Sequence, residues 1–75
     1  MIITVEQLTQ IVAAGGGLVL DASKMTLNQI KEIIPAAKAN KARITLKNVS
    51  DMTAGQLMEI AGLAPGLVTF NLSED

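Results

Sequence analysis

The chain is 75 residues long, one domain near the lower limit for an unaided core, since a chain of this size buries only about 60% of its unfolded surface. It contains no Cys and no His, which excludes a disulfide framework and leaves no ligand set suited to zinc. Six Lys or Arg against seven Asp or Glu give a net charge of −1, without the basic surplus of a nucleic-acid binder, and a hydrophobic fraction of 49% is generous enough to suggest apolar surface kept for a partner.

The first residues, Met-Ile-Ile-Thr-Val-Glu, carry an acid where a secretory signal carries a base. No export signal is expected, and together with the missing cysteines this favours the cytoplasm. The first predicted helix opens at Thr4, because threonine followed three residues later by Gln7 is a capping box, each side chain satisfying the other's orphan backbone N–H. Ile3 stands where a hydrophobic staple would reach Leu8. The helix stops at Gly15-Gly16-Gly17, and Leu18-Val19-Leu20 reads as a short strand. The glycine triplet is not a phosphate loop, since it leaves a helix and enters a strand, the reverse of the order phosphate loops require. The apolar run Ile11 to Leu20 is ten residues long with three glycines inside it, far short of the ~20 of a membrane-spanning helix, so no membrane partner is expected.

Thr26 and Gln29 repeat the capping box, with Met25 as the staple to Ile30. Ile30, Ile33, Ile34 and Ala37 then fall at i, i+3, i+4 and i+7, the buried stripe of a helix. Pro35 inside that stripe removes the hydrogen bond to the carbonyl of Lys31, and a bend or a short break is expected there. A stop is read at Asn40, flanked by Lys38 and Lys41, before the strand Ile44-Thr45-Leu46. Thr53 and Gln56 open the third helix, stapled by Met52 to Leu57. Gly55 in its first turn implies either tolerance near a helix end or close packing. Pro65-Gly66 stops the helix before the strand Val68-Thr69-Phe70.

The phrase Thr-x-x-Gln-(Leu/Ile)-x-x-Ile thus occurs three times, its threonines 22 and 27 residues apart. A period in the twenties is that of a short β/α solenoid. The expected fold is α/β, three short parallel strands alternating with three helices that lie on one face, in units of about 1–17, 18–42 and 43–66 with a terminal strand at 67–72. Strands joined through helices pair in parallel with right-handed crossovers. Leu18-x-Leu20-x-x-Ser23-x-Met25 resembles the leucine-rich-repeat core Leu-x-Leu-x-x-Asn-x-Leu, with serine in place of the asparagine. What the resemblance implies is a coil of parallel strands backed by helices that binds proteins on its strand face. It brings no catalytic residue.

Strand alternation, with Leu20, Leu46 and Phe70 facing the helices, puts Val19, Thr45 and Thr69 in one row on the other face and Asp21, Lys47 and Asn71 in the next. That face is either a solvated surface, with Asp21 and Lys47 paired across strands, or a docking surface for a protein. The last strand, with Leu67, Val68, Phe70 and Leu72, presents an unpaired edge free of proline, its acids Glu74 and Asp75 lying only at the tail. Either another copy of the chain or further units of a longer array would cover it.

A second class of function would use the carboxyl ends of the strands, where Asp21, Ser23, Lys24, Asn48, Ser50, Asp51, Asn71 and Ser73 gather. There Asp21, Lys24 and Asp51 could hold a divalent ion or phosphate. Ser, Asp and Asn are also what loops before helix caps are made of. The matches Asn48-Val49-Ser50 and Asn71-Leu72-Ser73 to a glycosylation sequon are explained by the repeat. Lys31, Lys38, Lys41, Arg43 and Lys47 cluster without an aromatic side chain to stack bases, so nucleic acid is not an expected partner. With no His, no Cys and no serine in a nucleophile turn, no catalytic residue, cofactor or metal ligand is assigned. The expectation is a non-enzymatic module that binds protein, homo-oligomeric through its last strand.

Overall fold

Each of the three threonines caps a helix in the geometry its spacing prescribes. The side chains of Gln7, Gln29 and Gln56 accept the N–H of Thr4, Thr26 and Thr53 at 3.0, 2.9 and 2.9 Å, and each threonine hydroxyl accepts the glutamine N–H at 3.1 Å. In this computed structural model, which describes residues 4–72, the elements are α1 (Val5–Ala13), β1 (Leu18–Asp21), a 3-10 turn (Ala22–Lys24), α2 (Leu27–Asn40), β2 (Ile44–Lys47), α3 (Ala54–Leu63) and β3 (Val68–Phe70). The staple residues Met25 and Met52 are half-buried against the core, whereas Ile3 lies outside the described residues, as do Ser73, Glu74 and Asp75.

The first two helices end alike. Gly15 adopts φ 95°, its N–H donating to the Val12 carbonyl at 2.9 Å while Gly16 N–H donates to the Ile11 carbonyl at 3.0 Å, the paired bonds of a Schellman motif. In α2 the same pair runs from Lys41 to Lys38 and from Ala42 to Ala37, with Lys41 at φ 54°. The stop expected at Asn40 therefore moves to Lys41. Asn40 stays helical and donates its side-chain amide to the Ala36 carbonyl at 2.9 Å. Helix α3 ends against Pro65, with Gly66 at φ 81°.

Of the bend or short break expected at Pro35, the break is absent, because α2 is helical from Leu27 to Asn40. Pro35 is exposed, so the Lys31 carbonyl it leaves without a partner lies on the solvent side of the helix. The inward side carries Ile30, Ile33, Ile34 and Ala37, all buried, and burial of each isoleucine contributes roughly 1.5–3 kcal/mol.

All three strands run parallel, in one sheet of order β1-β2-β3. The register sets Leu18, Ile44 and Val68 in one row, Val19, Thr45 and Thr69 in the next, and Leu20, Leu46 and Phe70 in the third. Leu20, Ile44 and Leu46 are buried with the helix residues Val12, Ile30, Ile33, Ile34 and Ile60, whereas Val19, Lys47 and Thr69 are exposed. The helices thus cover one face of the sheet. Gly17 sets the spacing at its start: a Cβ there would stand 3.1 Å from the Arg43 carbonyl oxygen, the same oxygen that accepts the Leu18 N–H at 3.0 Å.

Candidate functional site

Two surfaces and one groove result from this arrangement. The outer sheet face is built by alternation, since the side chains that follow and precede the inward Leu20, Leu46 and Phe70 must point away from the helices. Val19, 68% exposed, opposes Thr45, which in turn opposes Thr69. Asp21 opposes Lys47, and Asn71 donates its N–H to the Leu46 carbonyl at 2.8 Å. The ion pair expected between Asp21 and Lys47 is not formed. Asp21 instead accepts both the N–H of Ser23, at 2.9 Å, and its hydroxyl, at 2.5 Å, which caps the 3-10 turn. The Ser23 hydroxyl and, after it, the Asn48 side chain hold the Asp21 carboxyl below its ordinary value, against the opposing influence of partial burial.

At the carboxyl ends of the strands lies an open groove of 260 Å³, with Met25, Leu27, Ile30 and Met52 along it and Ser23, Asp51 and Gln56 as its polar residues. Of the three rim residues read from the sequence, Asp51 lines this groove and Asp21 and Lys24 do not. Among the described residues no three acids stand close enough to share a metal ion. Gln56 is engaged in the cap of α3 and Asp21 in the 3-10 turn, and Asp51 is the exposed carboxylate at the edge of the groove.

The second surface is the two outer edges of the sheet, β1 and β3. Backbone direction alternates along a strand, so the hydrogen bonds identify which groups are spare. Leu18 donates to Arg43 and Ile44 to Leu67, and Asn71 donates to Leu46. The N–H and C=O groups of Val19 and Asp21 on β1, and of Val68 and Phe70 on β3, therefore point to the two outer edges, where no described strand pairs with them. Leu67, Val68 and Phe70 are half-buried against the core, and Leu72 beyond them is 71% exposed.

The outer helices likewise leave apolar side chains exposed. The last isoleucine of the repeated phrase is fully buried as Ile33 and Ile60, yet 39% exposed as Ile11 on α1. Five residues after the capping threonine, Lys31 of α2 reaches across to Glu59 of α3 in an ion pair. The same position in α3 is Met58, and it is 70% exposed. The residue after the last isoleucine is fully buried as Val12 and Ile34 but only half-buried as Ala61. Ile11 and Met58 escaped the strand-centred sequence reading. The signal was available in the three phrases set one beneath another, where the position that is Thr9 and Lys31 in the first two becomes Met58 in the last.

Comparison with protein-family models, characterised proteins and solved structures gives no match. Among the described residues, no helix is long and apolar enough to cross a membrane.

Proposed function

We propose that this chain is a non-enzymatic β/α-repeat module, similar in plan to leucine-rich repeats, whose work is association with protein through its open ends and its uncovered strand face. The observation that carries this reading is the burial of equivalent positions. Residues that are fully covered in α2, which has a neighbour on either side, are partly bare in α1 and α3, and they remain apolar there instead of turning polar as terminal units of an isolated stack would. Large apolar side chains left at an edge with spare backbone groups are a template for another chain. The rim supports ion or phosphate binding less well, since Asp21 is already engaged and Lys24 lies outside the groove.

The test is size exclusion with light scattering on the wild type and on Phe70→Lys. A mass above that of one chain, falling on substitution at an unchanged helical circular-dichroism signal, is the expected result. A single-chain mass for both proteins at every concentration would remove association from the account.

A further inference from the structure

The two open ends differ in kind, and that difference fixes how copies would meet. On α1 the bare position is Ile11, whose counterparts Ile33 and Ile60 are fully covered in helices that have a preceding neighbour. On α3 Met58 is bare and Ala61 half-buried, whereas their counterparts Lys31 and Ile34 lie in a helix that has a following neighbour, Lys31 meeting α3 itself. The first end therefore lacks what comes before it and the last end lacks what comes after it. The strand edges agree. β3 offers the backbone groups of Val68 and Phe70, β1 offers those of Val19 and Asp21, and the two sets interleave in parallel as β1 does with β2 and β2 with β3.

Resting on the association reading above, we propose that the occupant of each end is a second copy of this chain, assembled head to tail. The α3–β3 end of one copy seats on the α1–β1 end of the next, β3 pairs in parallel with the following β1, and Ile11 takes against the preceding α3 the place that Ile33 and Ile60 hold inside the chain. A two-fold pair would instead set β3 antiparallel to β3 and leave Ile11 bare at both outer ends. Charge does not oppose the head-to-tail contact, since Leu57, Met58 and Ala61 on one side and Leu8 and Ile11 on the other are uncharged. A head-to-tail contact is heterologous, so it gives a ring if the rotation closes and a filament if it does not.

Single-end variants of the full chain test the order of assembly. Val68→Pro blocks the last end through its backbone, since the Val68 N–H faces the free edge, and Ile11→Lys blocks the first. Val19→Pro is the second first-end variant, because its N–H faces the free edge and serves no bond inside the sheet. With circular dichroism unchanged, each variant alone should sediment as a monomer. An equimolar mixture of Val68→Pro with either first-end variant should form a dimer of one copy of each and nothing larger, since one good end remains on each partner. An associating wild type whose variants form no mixed dimer, or a first-end variant that still dimerises alone, overturns the head-to-tail order and leaves association standing. A wild type that is monomeric at every concentration removes both.

Discussion

Asp21 closes β1 with its backbone and starts the next turn with its carboxylate, which takes the N–H and hydroxyl of Ser23 at 2.9 and 2.5 Å. Both bonds favour the charged form, and the Ser23 hydroxyl is the larger influence on its lowered pKa. A carboxyl whose folded pKa lies below its unfolded one stabilises the fold above the ordinary aspartate range and loses that contribution as pH falls through the lowered value. Thermal unfolding followed from about pH 5 to about pH 2 should therefore show the wild type losing Tm more steeply than Asp21→Asn, the difference opening below about pH 4. Parallel curves would mean that the carboxylate is not held in the folded state. Of this local chemistry the sequence disclosed the capping threonines, since a capping box is written in four adjacent residues. It did not disclose that Lys41 and Asn48 adopt φ 54° and 57°, because left-handed residues other than glycine are settled by where the chain must go next.

Helix α2 carries the largest share of the core, and it does so with a proline in its third turn. Periodicity predicted the helix because Ile30, Ile33, Ile34 and Ala37 lie on one face, and Pro35 predicted its interruption because the ring removes a backbone donor. Which of the two prevails depends on where the orphaned carbonyl points, a three-dimensional fact. Pro35 is on the exposed side, away from the core, so the isoleucine stripe keeps the helix whole. Pro35→Ala should then restore the missing bond without disturbing the core and raise the stability of the chain by about 1–3 kcal/mol, read as a higher urea midpoint at constant slope. An unchanged or lower midpoint would show that the proline compensates elsewhere, through the unfolded chain. The strands were legible for the opposite reason. Leu18, Leu20, Ile44, Leu46, Val68 and Phe70 alternate with Val19, Thr45 and Thr69 in runs too short for a helix, and that alternation assigns each side chain to its face of the sheet.

For the whole molecule the decisive quantity is what remains uncovered once three strands and three helices have packed. Val19, Thr45 and Thr69 form an outer row that strand alternation sufficed to place, whereas of the groove between the 3-10 turn and the start of α3 only the rim residues Ser23 and Asp51 were legible, and its joining of Met25 and Leu27 to Met52 and Gln56 was not. The open ends were legible in part. The last strand announced its bare edge, but the matching exposure of α1 at Ile11 emerges only when its 39% is set beside the complete burial of Ile33 and Ile60. Amide hydrogen exchange read residue by residue, on the full chain at low and at high concentration, tests directly whether those ends are interfaces. The N–H groups of Val19, Asp21, Val68 and Phe70 should exchange freely when dilute and become protected as concentration rises, while those of Leu20 and Leu46 stay protected throughout. Equal, rapid exchange of the four edge amides at both concentrations would contradict the account.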